Sequence, residues 1–163
     1  MGGGKHIMKL SEALVLRADD HKRIEQLRAR LKASVLVQEG EQPPEDPQEL
    51  LAELDRLLTQ LGSLIARINR TNLSTSLANG QTLTAALAQR DVLKLRQDVL
   101  RSLADHASGR VDRYSRSEIR SVPTIDVGAL RRQVDGLAQQ YRELDTAIQA
   151  ANWTTDLWEE DGA

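Results

Sequence analysis

The sequence lacks cysteine and phenylalanine, and aromatic residues make up only 2% of its 163 residues. Without cysteine the chain cannot form disulfides, cysteine-ligated metal sites or a thiol nucleophile. The formal net charge of -2 is also far from the lysine and arginine excess that displaces counterions from nucleic acid. We therefore expect neither a disulfide scaffold nor nucleic acid as a partner.

Long apolar runs are absent as well. No run approaches the roughly 18 residues that a bilayer-spanning helix needs, and the first residues lack the apolar stretch of a signal peptide. We expect no membrane partner and a cytoplasmic location. A chain of this length supports about one domain. We predict a leader over residues 1–7, vector-derived or flexible, a single helical domain over residues 8–157 and an acidic tail over residues 158–163.

The sequence does contain helical periodicity with clear start signals. Serine, threonine and aspartate side chains accept hydrogen bonds from the free amides at a helix start, and the candidate caps are Ser11, Asp46, Thr82 and Asp126. Asp46 is followed by Pro47, which fits the first helical position. We predict four helices, over about 11–37, 47–72, 83–107 and 127–151.

The apolar residues of these helices recur at spacings of three and four, which is typical of coiled-coil-like seams. The second helix carries Leu50, Leu54, Leu57, Leu61, Leu64 and Ile68. The fourth helix carries Leu130, Val134, Leu137, Tyr141, Leu144 and Ile148. The third helix has one row of Ala86, Leu93, Leu100 and Ala107 and another of Val92, Leu95, Val99 and Leu103. Two apolar rows predict a central position for the third helix.

These patterns predict an all-α fold of long antiparallel helical hairpins or a four-helix bundle. The helical period is lost over residues 108–125, where we expect a short extended excursion, and strand, helix and swapped arm stay open. The seams exceed what one slim bundle must bury, so we expect a homo-oligomer. The expected oligomer contacts and anchors are Leu54, Leu61, Ile68, Tyr141 and Trp153.

Several polar strings are distinctive. They are Ala66-Arg67-Ile68-Asn69-Arg70-Thr71-Asn72, Leu87-Ala88-Gln89-Arg90-Asp91-Val92-Leu93, Asp112-Arg113-Tyr114-Ser115-Arg116-Ser117-Glu118-Ile119 and Ala151-Asn152-Trp153-Thr154. In these strings the chain resembles the small bacterial proteins catalogued as septicolysin-like, from about Met8 to Leu157. The resemblance implies a small helical bacterial protein, and it supplies no lytic mechanism. The chain departs from the family pattern at Gly128-Ala129, which concerns a helix cap.

Familiar catalytic and metal-binding motifs are missing. A di-metal helical bundle needs a glutamate three residues before a histidine, but Ala18 and Leu103 stand at that spacing before His21 and His106. The chain has neither a phosphate-binding glycine loop nor a Gly-x-Ser-x-Gly elbow. We therefore expect no catalytic residues, no metal site and no cofactor.

A set of polar residues is the best candidate for a binding site: Asn69, Arg70, Asn72, Arg90, Asp91, Arg113, Arg116 and Arg120. Guanidinium and amide groups bind phosphate or carboxylate, so one hypothesis is an anionic small molecule at a subunit junction. The other is a buried polar network that fixes helix register or subunit pairing. We favour the second and expect a non-catalytic homo-oligomeric assembly protein, with a binding module or unrecognised enzyme as the alternative.

Overall fold

Four long helices make up most of the described chain. The computed structural model describes residues 7–109 and 121–159. The helices are α1 (Leu10–Ser34), α2 (Pro47–Ser74), α3 (Leu83–Ala107) and α4 (Val127–Thr154). Within the described residues, β-type pairing is limited to two isolated bridges, at Lys9 with Asp156 and at Ser76 with Thr82. The all-α prediction is confirmed, while residues 110–120 of the expected excursion lie outside the described residues.

Local side-chain caps start three of the four helices, as predicted. The Oδ1 atom of Asp46 accepts a hydrogen bond from the backbone N–H two residues later (2.8 Å). Oδ1 of Asp126 and Oγ1 of Thr82 each accept one from the backbone N–H three residues later, at 2.8 and 3.2 Å. These bonds satisfy amides that have no acceptor inside the helix. The cap at Asp126 forms despite the unusual Gly128-Ala129 pair.

The start of α1 differs from the prediction. Helix α1 begins at Leu10, and its N-cap is Lys9 rather than Ser11. The backbone N–H of Lys9 donates to Oε2 of Glu12 (2.7 Å), and that of Leu10 donates to the carbonyl oxygen of Thr155 (2.9 Å). Ser11 lies inside the first turn, where its buried hydroxyl has no hydrogen-bond partner among the described residues. The start of α1 therefore uses a local contact with Glu12 and a bond to a distant segment, and not the Ser11 hydroxyl.

The chain divides into two compact units. Unit 1 combines the chain up to Thr75 with the residues from Ala151 onward, and unit 2 is Ser76–Ala150. In unit 1, α1 and α2 form an antiparallel hairpin, because Arg30 near the end of α1 donates from Nε to Oε2 of Glu45 just before α2 (2.9 Å). The hairpin core combines leucines of α1 with part of the predicted leucine stripe of α2. The core residues are Leu27, Leu31, Leu50 and Leu57, with Ile24 and Leu54 packed against them.

The residues that follow α4 complete unit 1. The backbone N–H of Leu157 donates to the carbonyl oxygen of Met8 (2.8 Å). The backbone N–H of Trp158 donates to Oγ1 of Thr71, near the end of α2 (2.8 Å). Leu157 is almost fully buried. The segment after α4 therefore fastens the start of α1 and the end of α2 into one core.

Unit 2 is a second antiparallel hairpin, formed by α3 and α4. Arg90 near the start of α3 donates from Nη1 to Asp145 late in α4 (3.0 Å), and Arg131 near the start of α4 donates to Oγ of Ser108 just after α3 (2.9 Å). The buried residues of this unit are Leu83, Ala86, Gln97, Ala104, Val134, Leu137 and Ile148. Among the helices described here, none has the length and apolar character that crossing a bilayer requires.

Candidate functional site

Arg90 lies at the centre of a carboxylate pair in unit 2. Its Nη1 atom donates to Oδ1 of Asp145 at 3.0 Å, and its Nη2 atom lies 3.4 Å from Oδ1 of Asp91. The side chains of Arg90 and Asp145 are 24% and 32% exposed. Burial lowers the pKa of Arg90, but the hydrogen bonds and charges of the two aspartates outweigh burial and raise it. The positive charge of the Arg90 guanidinium is therefore already balanced by carboxylates of the protein itself.

Sequence reasoning identified Arg90 and Asp91 but missed Asp145. A signal for it was present, because Asp145 lies four residues after Tyr141 and three before Ile148. A charged residue at such an inward position of a heptad pattern requires a buried partner of opposite sign. Arg90 and Asp145 are 55 residues apart in the sequence. Only the antiparallel pairing of α3 with α4 identifies Arg90 as the partner of Asp145.

Arg70 belongs to a second polar group, in unit 1. Its guanidinium carbon lies 3.8 Å from the centre of the Trp158 ring, which is cation–π geometry. One turn earlier, Arg67 donates from Nε to the backbone carbonyl of Trp158 (3.0 Å). Trp158 thus connects the segment after α4 to α2. Trp153, the tryptophan expected as an anchor, is 69% exposed in the single chain.

The remaining residues of the predicted binding set have different surroundings. Asn69 is exposed and Asn72 is half-buried, and neither side chain forms a hydrogen bond with another described residue. Asn69, Arg70 and Asn72 belong to unit 1, whereas Arg90 and Asp91 belong to unit 2. Three members lie outside the described residues, namely Arg113, Arg116 and Arg120. An anion-binding role for this set stays a prediction.

The residues expected at oligomer contacts serve mainly the core of the single chain. Leu61 and Ile68 are buried, Leu54 packs against the core of unit 1, and Tyr141 is half-buried in unit 2. Leu54 and Tyr141 keep part of their surface exposed in the single chain. The assignment of oligomer contacts to these residues stays a prediction.

A different row of apolar residues is exposed. Val92, Leu95, Val99 and Leu103 of α3 are 63%, 64%, 49% and 48% exposed. We call these four residues the α3 stripe. The other predicted row of α3 faces inward, with Ala86 fully buried and Leu93 and Leu100 half-buried. The expected central position of α3 is therefore not observed, since only one of its two apolar rows is covered.

One carboxylate is buried without a hydrogen-bond partner. Asp20 of α1 is 1% exposed, and its Oδ2 atom has no hydrogen-bond partner among the described residues. It occupies a position on the inward face of α1, seven residues before Leu27. Sequence reasoning did not single it out, although a lone acid on an apolar stripe is a recognisable signal. An unpaired buried carboxylate is costly for the folded state.

Two of the clefts in the described part of the chain lie within single units. A cleft of about 270 Å³ lies between α1 and α2, and another of about 370 Å³ lies in unit 2 beside Asn79 and Glu143. Neither lining contains a histidine, serine, threonine or tyrosine, so neither cleft pairs a nucleophile with a base. Across residues 7–109 and 121–159, no three histidine or acidic side chains are grouped closely enough to hold a metal ion.

Comparison with known proteins places the chain in a family. The model of a family of unknown function, DUF6847, matches residues 17–157. The chain belongs to the DUF6847 family. No curated protein matches the sequence. The part that matches DUF6847 includes Arg90, Asp145 and the whole α3 stripe, and it ends one residue before Trp158.

A solved structure is similar to this member of the DUF6847 family over nearly its whole length. It is the crystal structure of a functionally unknown conserved protein from Corynebacterium diphtheriae, with 44% sequence identity and a TM-score of 0.89. The match covers 94% of this chain and 100% of that chain. The all-helical fold therefore recurs in a relative. The septicolysin-like resemblance stays a prediction beside the DUF6847 assignment.

Proposed function

We propose that this protein is a non-catalytic helical assembly protein that functions as a homo-oligomer. The observation that carries the proposal is the α3 stripe, which exposes four large apolar side chains on one face of one helix. Soluble proteins leave single apolar residues at the surface without consequence, but a contiguous apolar row rimmed by polar residues is typical of an interaction site. A second copy of the chain presents the same row.

The apolar area of the α3 stripe is small enough that a contact between two copies also needs polar interactions. Burying a valine or leucine side chain completely contributes about 1.5–3 kcal/mol, so a half-exposed one contributes about 1 kcal/mol. Four such residues in each of two copies contribute about 8 kcal/mol in total. Association costs on the order of 4–15 kcal/mol. The free energy gained by burying the stripe is thus comparable to the free-energy cost of association. Polar contacts at the rim of the stripe then decide the affinity.

The alternative function, a site for a small anion such as phosphate or a carboxylate, has less support. Arg90 already bonds to two aspartates, and Arg70 lies on the ring of Trp158. An anion at either place must compete with an interaction inside the protein. Fixing helix register is the role that these contacts favour.

Size-exclusion chromatography with light scattering tests the proposal. We expect the wild-type protein to elute as a discrete multimer and Leu95→Glu to elute as a monomer with unchanged helical content. Val15→Glu is the matched control, because Val15 is 63% exposed against 64% for Leu95 but lies on α1. It should retain the multimer.

Two results would contradict the proposal. A monomeric wild type excludes self-association, and dissociation by Val15→Glu but not by Leu95→Glu excludes the α3 stripe as its site. An elevated ratio of absorbance at 260 and 280 nm would instead favour a bound nucleotide or nucleic acid and thus the alternative function.

A further inference from the structure

Three of the four residues of the α3 stripe fit the a and d positions of a heptad register. Val92 and Val99 are seven residues apart and take the a position, and Leu95 between them takes the d position. Arg96 and Leu103 then occupy e positions, while Asp91 and Asp98 occupy g positions. This register describes the outward face of α3, since the opposite face is buried in unit 2. The row therefore resembles one strand of a two-stranded coiled coil.

We propose that two copies of the chain associate through parallel α3 helices, with Asp91 of each copy bonded to Arg96 of the other. This inference rests on the proposed self-association and specifies its surface and orientation. The residues at a and d support it directly. A β-branched residue at a together with leucine at d favours a parallel two-stranded arrangement. Within the α3 stripe, valine occupies the two a positions and leucine the single d position, while the next d and a positions of α3 are Ser102 and His106.

The charges at the rim favour the same orientation. In a parallel pair, a g residue lies beside the e residue five positions later on the other helix, and five positions after Asp91 is Arg96. The two-fold axis of such a pair generates this contact twice. In an antiparallel pair, e residues lie beside e residues and g beside g. Arg96 would then lie near its own copy, and Asp91 and Asp98 would face like charges, which is unfavourable.

Both side chains are available for this contact. The Asp91 side chain is 74% exposed, and its Oδ1 atom lies 3.4 Å from Arg90, at the outer limit of a hydrogen bond. Arg96 is exposed, and no described residue forms an ion pair or hydrogen bond with it. An exposed arginine and an exposed aspartate, the latter with one long contact to Arg90, therefore lie at g–e′ spacing.

The helix that carries the stripe is formed before association. Residues 92–103 span about 18 Å at 1.5 Å per residue, which is too short for an isolated coiled coil to be stable. Packing of α3 in unit 2 removes the cost of helix formation, since most helical stability in proteins comes from tertiary packing. Because the contact is short and its helix is already formed, we expect a single charge change at Asp91 or Arg96 to alter the dissociation constant of the dimer measurably.

Charge reversal tests the proposal in the full-length protein. We expect D91R and R96D each to raise the dissociation constant of the dimer about tenfold, because each converts two attractive contacts into repulsive ones. The double variant D91R/R96D restores both contacts and should return the constant to within about threefold of wild type. An equimolar mixture of D91R and R96D should form a heterodimer preferentially, since only the mixed pair has opposite charges at both contacts.

Asp98→Arg is the matched control. It makes the same charge change on the same edge of α3, but the residue five positions later is Leu103. Its dimer constant should change less than about threefold, although its pair with Lys94 is lost. Sedimentation velocity over a concentration series measures all the constants, and circular dichroism at 222 nm checks that each variant is folded.

The outcomes separate the two proposals. A wild type that is monomeric at all concentrations overturns self-association itself. A wild-type dimer that D91R and R96D leave unchanged, or that the double variant does not restore, overturns the parallel α3 pairing and leaves self-association standing. A dissociation constant restored in D91R/R96D supports the pairing even if D91R also disturbs Arg90. A structural defect caused by D91R within one copy would not be repaired by reversing the charge at position 96.

Discussion

Removing the ion pair between Arg90 and Asp145 should destabilise unit 2 by an amount that a double-mutant cycle can isolate. The perturbations are Arg90→Met, which keeps the length of the side chain, and Asp145→Asn, which keeps its shape. If the pair fixes the register of α3 against α4, the two substitutions are strongly coupled. If Arg90 serves only a ligand, their effects on stability add independently.

The magnitude follows from the geometry. At 3.0 Å and an effective dielectric constant of about 20, the Coulomb attraction is about 5 kcal/mol. Desolvation of two side chains that are 24% and 32% exposed offsets most of it. A coupling energy of about 1–2 kcal/mol remains. For a protein of this size, each kcal/mol lowers Tm by about 2–4 °C.

The two single variants should not be equal. In Asp145→Asn the guanidinium of Arg90 keeps Asp91, at 3.4 Å, whereas Arg90→Met leaves Asp145 without its cation. We therefore expect Arg90→Met to be the more destabilising substitution. Urea denaturation of wild type, both single variants and the double variant, followed by circular dichroism, gives the coupling energy. A coupling below about 0.3 kcal/mol, the usual limit of additivity, would refute the reasoning.

Two further predictions concern unit 1. Trp158→Ala should lower the free energy of unfolding by about 1–2 kcal/mol, because it removes the cation–π contact with Arg70. Urea denaturation measures this loss, and the control Trp153→Ala, at an exposed position, should change the free energy of unfolding by less than about 0.5 kcal/mol. Equal losses in both variants would contradict tail docking through Trp158. Asp20→Leu should raise the free energy of unfolding by about 1–3 kcal/mol. The buried Asp20 carboxylate has an oxygen without a hydrogen-bond partner among the described residues, and leucine would instead continue the apolar stripe of α1. A lower melting temperature of the variant in differential scanning calorimetry would show that Asp20 has a compensating partner.

The sequence was informative where the determining interaction is local. Asp46, Thr82 and Asp126 cap helices because their side chains reach an amide two or three residues away, and such spacing can be read along the chain. The leucine stripe of α2 is similar, since helical geometry alone puts residues spaced by three and four on one face. Ser11 is not the cap because α1 begins before it, at Leu10, whose backbone N–H bonds to Thr155, 145 residues later.

Choices between equivalent local patterns could not be made from the sequence. The two apolar rows of α3 have similar periodicity, and only one of them is buried. The buried row includes the small residue Ala86, and Ala104 beside it is also buried. Small residues allow a neighbouring helix to approach closely, whereas the bulkier Val92 and Leu95 stay outside. The binding set was likewise identified by residue type, but its pairing with Asp145 and Trp158 depends on tertiary contacts.

The division of the chain between the two units has a consequence for biosynthesis. Unit 2 is one continuous segment, whereas unit 1 is assembled from residues before Ser76 and after Ala150. During translation, α1 and α2 leave the ribosome while the segment that contacts Met8 and Thr71 has not been made. All residues of unit 2 have been synthesised once Ala150 is added, but unit 1 is completed only when Leu157 has been synthesised. Residues near Leu157 thus close a unit whose first helix begins at Leu10.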